Sequence, residues 1–389
     1  MPGKPSNGKL DGRRRTMKTT KAGALAVVAM LLLTLSGCAN LGGIDLTQVG
    51  KEGTTTYLKI ALNQTESHPS YIALDHFGQR LAEKTNGRWK VDVYPNEQLG
   101  SQQEVVQFIK SGAIEMAIVS GTQLENLSKD FQVLNLPKAF KDVRHQMQVI
   151  RDPSIVGELF TSLEKRDNIT VIGGFTQGSR SIYTRFGPVN KPADLKGKKI
   201  RVQESDMHIR MIELMGGSAT PLSYGEVYTA LQSGVLDGAE NNEVSYLTQK
   251  HVEVAPYWSY TNHLVGLDYM IMRADLLKAM SDADRKIFLE EWDKAMVEHT
   301  KLWSQKTSEA IEGAKKAGAK MTKVEGDAFD KALAPLVDEF LTTKKQRELW
   351  DKIQAAQTGA SSSGATNSEA DNSAESEAKN EIQDSRKGK

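Results

Sequence analysis

Short β-like runs alternate with amphipathic helical patterns twice over in this chain, and that rhythm constrains the fold more than any other feature. Tyr57 to Asn63 reads as a strand. Tyr71 to Thr85 places Leu74, Phe77 and Leu81 on one helical face, after which Gly87 supplies a left-handed terminus. Val91 to Tyr94 is the next strand. Ser101-x-x-Glu104 is a capping box opening a helix with Val105, Phe108 and Ile109, ended by Gly112. Met116 to Val119 follows as a strand. The second block repeats the pattern with strands at Val171 to Phe175, Lys199 to Gln203 and Ala219 to Leu222, and a helix from Asp206 to Met215. Ser223-x-x-Glu226 is another capping box, opening a helix through Leu231. Such alternation predicts an α/β fold with largely parallel sheets, and two blocks predict two α/β domains. From Ala283 to about Lys316 a helical pattern runs almost without Gly or Pro. At about 1.5 Å per residue it approaches roughly 50 Å, enough to brace both domains; a break near Thr300 fits the sequence equally well.

The N-terminus carries Arg13, Arg14, Arg15, Lys18 and Lys21 ahead of an apolar run from Ala22 to Leu35. Charge followed by a short apolar stretch is the order of an export signal. The run falls short of the roughly 20 residues that a bilayer-crossing helix needs. It ends in Leu35-Ser36-Gly37-Cys38, which resembles a bacterial lipobox, and Cys38 is the only cysteine in the chain. The expectation is cleavage before Cys38 and lipidation of its thiol, leaving no disulfide, so that the core alone holds the fold. Met17 opens a compact leader of its own, and Arg14-Arg15 faintly resembles a twin-arginine signal. Neither alternative changes the destination.

Without residues 1–37 the chain has 43 basic and 48 acidic residues, a net charge of −5. A mildly acidic protein lacks the basic footprint of nucleic-acid binding, so any bound anion must be held by a few local groups. Ala39 to Thr54, with Gly42, Gly43, Gly50 and Gly53, suits a flexible tether. Gly359 to Lys389 has Ile382 as its only large aliphatic residue and is expected to be disordered.

In the run Lys199-Ile200-Arg201-Val202-Gln203, the three polar residues share one face. Strands covered on both faces are normally apolar throughout. Two readings stand: an edge strand with a solvated face, or Arg201 pointing from the carboxyl end of the strand into a ligand cleft. Arginine suits carboxylate capture because its planar fork donates parallel charge-assisted hydrogen bonds and stays protonated. Arg180, in Gln177-Gly178-Ser179-Arg180, reads as a loop arginine flanked by small residues. Asp237-Gly238-Ala239-Glu240-Asn241-Asn242 follows a turn between two predicted helices; its amides suit a hydroxylated or carboxylated ligand, and a helix cap fits as well.

These residues, in this order, resemble the solute-binding subunit of tripartite ATP-independent (TRAP) transporters, the DctP family, from about Tyr57 to Met272 and more weakly beyond. The similarity is carried by Tyr94-Pro95-Asn96-Glu97-Gln98-Leu99-Gly100, by Pro192 to Val202, by Gly225 to Gly234, by Asp237 to Asn242 and by Thr261-Asn262-His263. The resemblance implies a two-domain periplasmic-binding-protein-like fold, with discontinuous domains and a long connecting helix. The implied division is 1–37 signal peptide, 38–54 tether, 55–177 domain I with about 267–306, 178–266 domain II with about 307–357, and a disordered tail at 358–389. Arg201 matches the carboxylate-clamping arginine and Arg180 the common second arginine. Asn241 matches the amide completing that site, and Tyr224 an aromatic packed on the ligand. Gln203 directly follows the run Pro192 to Val202 and Glu240 lies within Asp237 to Asn242, His263 is a supporting group, and Asn63, His68 and Ser120 fall where domain I faces the cleft. Sialic-acid-binding members typically have glutamate where Ser120 lies. Arg201 to Ser205 together with Gly238 to Asn242 looks more like hexuronate-binding members, which often carry Trp-Pro where this chain has Glu243-Val244. A glucuronate- or galacturonate-like ligand is therefore implied, with a C4-dicarboxylate as the other reading. The implied partners are this small organic acid, the TRAP membrane subunits and the membrane, the last through the N-terminal anchor; a monomer is expected.

An exported hydrolase is the competing class. It needs a nucleophile with its base, or a metal site, yet Gly-x-Ser-x-Gly, His-Glu-x-x-His, the P-loop and Gly-x-Gly-x-x-Gly are all missing. His68, His76, His145, His208, His251, His263 and His299 are scattered without ligand spacing. No metal and no cofactor is implied.

Overall fold

The structure, a computed structural model, describes residues 44–363. The strands are β1 (Thr56–Ala61), β2 (Trp89–Tyr94), β3 (Met116–Ser120), β4 (Ile169–Thr184), β5 (Lys199–Val202), β6 (Ser218–Pro221), β7 (Gly238–Asn241), β8 (Tyr257–Arg273) and β9 (Lys320–Lys323). They form one sheet in the order β2-β1-β3-β8-β4-β7-β5-β6, with β9 parallel to β8. Helices cover it, as the alternation predicts.

Each end of the sheet is parallel: β2-β1-β3 on one side, β7-β5-β6 on the other. The centre is not. β3–β8, β8–β4 and β4–β7 are antiparallel pairs, so the expectation of largely parallel sheets holds only for the two halves. Two of the passages of the chain between the halves are themselves strands, β4 and β8. β4 continues through Gln177-Gly178-Ser179-Arg180 for 16 residues, which corrects the reading of Arg180 as a loop residue. This tract lacks apolar alternation because its polar side chains find partners inside the protein. Register shifts at Val171/Gly174, Thr176/Ser179 and Arg180/Ile182 mark β-bulges, which bend and twist the strand. β4 meets β3's neighbour, the second half of β8, before Gln177, and meets β7 after Arg180. The bulges therefore lie where one half of the sheet gives way to the other.

The run Asp237 to Asn242 is likewise not a turn between helices. Gly238–Asn241 is β7, inserted between β4 and β5. Only Asn242 caps a helix, its side chain accepting from the Ser245 amide at 2.8 Å. At Ser101 the capping box is present in both directions and Gly112 ends that helix at φ +82°. At Ser223 a single 3-10 turn, Tyr224–Glu226, precedes the helix Val227–Ser233, and the Ser223 hydroxyl binds the Glu226 carboxylate rather than a backbone amide.

The long helix is continuous from Asp282 to Lys316, 35 residues, without a break at Thr300. Its first half packs Phe288 and Trp292 edge-on against Phe77, at 5.4 and 5.7 Å between ring centres. Its second half packs Trp303 and Ala310 with Val244, and Ala314 with Val227, Leu231 and Trp258. The helix thus touches both ends of the sheet. It approaches β4 at Gly178, where a Cβ would lie 2.6 Å from Trp303 Nε1 and where φ is +58°, so both space and backbone require glycine. In the expected tether, Ile44, Leu46 and Val49 pack on the core beside Trp89. The leader with Cys38, and residues 364–389 of the expected tail, lie outside the described residues; the last helix extends from Lys344 to Ser363.

Candidate functional site

The carboxyl ends of four parallel strands meet between the halves: β1 and β3 from one, β5 and β7 from the other. Ligands of open α/β sheets bind at such ends. Hydrogen bonds cross the meeting line. The Ser120 hydroxyl, ending β3, donates to Gln203 Oε1 beyond β5 at 2.8 Å, and Thr122 donates to the same oxygen at 3.3 Å. Ser205 donates to Glu125 Oε2 at 2.6 Å, while Asn135 holds the other oxygen of that carboxylate at 2.6 Å. The Gly225 amide donates to Glu97 Oε2 at 3.2 Å.

Arg201 is 3% exposed and β5 is flanked by β7 and β6, so the edge-strand reading is set aside. Its Nε and Nη2 both donate to the Leu222 carbonyl, at 2.9 and 2.7 Å. The guanidinium carbon lies 5.7 Å from the centre of the Tyr224 ring, within cation–π range. These contacts fix the plane of the fork, and Arg201 lines a small cavity with Glu97, Gln203 and Tyr224. Burial pushes the pKa of Arg201 down, and the Glu240 carboxylate works against that shift.

Arg180, in contrast, reaches protein acceptors through all three of its nitrogens. Its Nε and Nη2 grip Glu240 Oε2 and Oε1 at 2.5 and 2.7 Å, Nη2 also donates to the Glu240 carbonyl at 3.0 Å, and Nη1 donates to Asn241 Oδ1 at 3.0 Å. The fork that the resemblance assigns to the ligand as a second arginine is paired with Glu240, because β4 and β7 are adjacent strands that place residues 180 and 240 together, and Arg180 also lines a small cavity with Ser120, Gln203 and His208. Burial pushes the Glu240 carboxyl up, but Arg180 beside it and the His263 hydrogen bond prevail and hold it well below the usual range. His263 Nε2 lies 3.4 Å from Glu240, and its Nδ1 lies 2.9 Å from the Thr261 hydroxyl. His208, missed as a site residue, faces the same carboxylate at 4.0 Å and is pushed down to about 3 by burial. Asn241 links the pair to the cleft: its Oδ1 accepts from Arg180, and its Nδ2 donates to the Tyr224 hydroxyl at 3.5 Å.

From the first half, Asn63 is buried with Oδ1 lacking a protein partner, and so are Gln64 Oε1 and Glu97 Oε1. His68 is buried, and its Nε2 has no protein partner. It caps the helix Pro69–Lys84 through Nδ1, accepting from the Ser70 amide at 3.1 Å, and sets its ring edge-on to Trp303. His299 is buried and stacked on Phe175 at 4.1 Å, a packing residue. Glu243, where the resemblance departs from the hexuronate pattern, lies at the start of the helix after β7. Burial pushes its carboxyl up to about 7. It lines a separate cavity of about 1020 Å³ with Met147, Gly178 and Trp303, which shares no residue with the Arg201 cavity.

Sequence reasoning missed Gln64, Glu97 and Glu125. Glu97 alone had a signal, its place in the quoted run Tyr94 to Gly100. Among the described residues no cluster of His, Cys, Asp or Glu suits a metal ion, and no helix is long and apolar enough to cross a membrane.

Two parallel half-sheets joined by long crossing strands, with a polar cleft at their carboxyl ends and a helix touching both, define a two-domain solute-binding protein of the periplasmic type. Residues 60–344 match the profile of the DctP family, bacterial extracellular solute-binding protein family 7, and the chain belongs to that family of TRAP solute-binding proteins. A solute-binding protein of Chromohalobacter salexigens is 36% identical over 75% of this chain and 87% of its own. A TRAP periplasmic solute-binding protein of Anaerococcus prevotii, solved with bound α/β D-glucuronate, superposes with a TM-score of 0.76 at 36% identity, covering 78% of this chain and 99% of that one. One from Xanthobacter autotrophicus with bound β-D-galacturonate gives 0.73 at 30% identity, over 77% and 99%.

Proposed function

We propose that this chain is a lipid-anchored, extracytoplasmic binding protein that captures a hexuronate such as glucuronate or galacturonate, without turning it over, and passes it to TRAP membrane subunits. The observation that carries this is Arg201, a buried guanidinium fixed by Leu222 and Tyr224 that lines the cleft cavity. In this reading the carboxylate of the sugar sits on Arg201, Tyr224 packs on the ring, and Asn241 completes the carboxylate site. Asn63, Ser120 and Gln203 supply polar contacts from both sides. Arg180, the second arginine, reaches the ligand from the floor of the cleft, with Glu240 and His263 beside it supporting the site.

The lobes in this reading are 55–177 with about 267–306, and 178–266 with about 307–357, with the β4 bulges around Gly178 as hinge. Closure is favoured by contacts that exist only when the lobes meet; Ser120 with Gln203 and Glu125 with Ser205 are of that kind. Lipidation of Cys38 keeps the monomer at the membrane, and Cys38→Ser is expected to move it to the soluble fraction; an unchanged membrane fraction counts against the anchor. Calorimetric titration of the purified chain tests the ligand. Glucuronate or galacturonate is expected to bind more tightly than succinate or sialic acid, and no hexuronate binding, or turnover of the sugar, defeats the reading.

A further inference from the structure

We propose that Glu97 determines specificity in this cleft: one carboxylate oxygen fastens the opposite half, the other accepts a hydrogen bond from a ligand hydroxyl, and its charge repels a second ligand carboxylate. The inference rests on the reading that Arg201 holds the ligand's first carboxylate.

The geometry is specific. Glu97 Oε2 accepts from the Gly225 amide at 3.2 Å, across the meeting line. Oε1 is buried and has no partner in the protein, and such a group carries a desolvation cost unless something donates to it. An ionised carboxylate only accepts, and unlike the amides of Asn63 and Gln64 it cannot be turned round to become a donor. Whatever faces Oε1 must therefore carry a hydrogen. A hydroxyl of a sugar acid does; the second carboxylate of a C4-dicarboxylate does not, and it brings like charge into a poorly solvated space.

Glu97 also lines the same cavity as Arg201, Gln203 and Tyr224. The site thus has a cation at one wall and an acceptor at another, which suits a molecule with a carboxylate and a hydroxyl at separate points. The backbone holds the carboxylate in place at some strain. Asn96 and Glu97 both have φ of +56°, a left-handed conformation rare outside glycine. Their amides are pinned to the end of β1, Asn96 to the Gln64 carbonyl at 3.0 Å and Glu97 to the Leu62 carbonyl at 3.1 Å. Across the cleft, a Cβ on Gly225 would lie 2.6 Å from Glu97 Oε2. Glycine at 225 is thereby part of the same device, since any side chain there displaces the carboxylate.

The test is titration calorimetry of the purified full chain, wild type, Glu97→Gln, Gly225→Ala and the double variant, with D-glucuronate and with succinate. Thermal unfolding without ligand confirms that each variant is folded. Glu97→Gln keeps the shape and an acceptor for Gly225 but loses the charge. It is expected to bind glucuronate about tenfold more weakly, the scale of a charge-assisted hydrogen bond, and to bind succinate more tightly than wild type does. Gly225→Ala is expected to weaken glucuronate binding in the wild-type background and to add little once residue 97 is Gln. A ratio of glucuronate to succinate affinity that stays unchanged in Glu97→Gln overturns the role of Glu97 while leaving the hexuronate reading intact. A wild-type protein that ignores glucuronate overturns both.

Discussion

Replacing Glu240 by Gln removes the counter-charge of a guanidinium that is 4% exposed. In the native protein Arg180 makes two contacts to that carboxylate, at 2.5 and 2.7 Å, and its other hydrogen bonds go to neutral oxygens. Asp268 is the other acid acting on it, and burial pushes Asp268 up to about 7, so it replaces the lost charge poorly. Breaking a buried ion pair from one side costs about 3–5 kcal/mol; because the amide keeps one acceptor, the lower end, about 3 kcal/mol, is expected. Replacing both partners together, Arg180→Met with Glu240→Leu, is expected to cost far less than Glu240→Gln alone, since no charge is left stranded. Urea unfolding at pH 7 reads both. The pH dependence has a definite sign: Glu240 is held below its ordinary value of 4.5, so its contribution is present above about 4.5 and is lost as pH falls through the lower folded-state value. A single variant that loses less than about 1 kcal/mol, or a double variant as unstable as the single, refutes the reasoning.

Gly178→Ala places a Cβ 2.6 Å from Trp303 Nε1 at a φ of +58°; a loss of about 1–3 kcal/mol is expected, and an unchanged unfolding midpoint contradicts it. Glu125 is pushed up to about 7 by burial, against the hydrogen bonds of Ser205 and Asn135. A raised carboxyl contributes stability that is complete below about 4.5 and is lost as pH rises through about 7. Glu125→Gln is therefore expected to flatten the decline in stability between about pH 4.5 and about 7, and a variant declining as steeply as wild type argues against that assignment.

What the sequence made legible is mostly local. Ser101, Glu104 and Gly112 define a helix by contacts no more than a few residues apart, and the structure keeps it to the residue. The long helix was readable because nothing in Ala283 to Lys316 interrupts its pattern, and Phe288, Trp292 and Trp303 are buried along it. Arg201 stood out because a charge on a covered strand demands an explanation. The misreadings share a physical cause. Gln177-Gly178-Ser179-Arg180 and Glu240-Asn241 look like loop because polar residues on central strands carry no periodic signal; their partners lie 60 residues away, in each other. β8 escaped notice for the same reason, with Ser259, Thr261, Asn262, His263 and Asp268 among its residues. Glu97 was in a quoted motif, yet its meaning depends on Gly225, which only the fold brings to it.

Affinity of Arg201→Lys for D-glucuronate, measured by calorimetry on the purified chain, bears most directly on the whole account. Lysine keeps the charge but not the fork, and cannot bind the Leu222 carbonyl through two nitrogens while presenting a third to the ligand. A loss of about 10- to 100-fold is expected, the scale of a charge-assisted hydrogen bond removed from a buried site. Binding within about twofold of wild type would show that the carboxylate is held elsewhere.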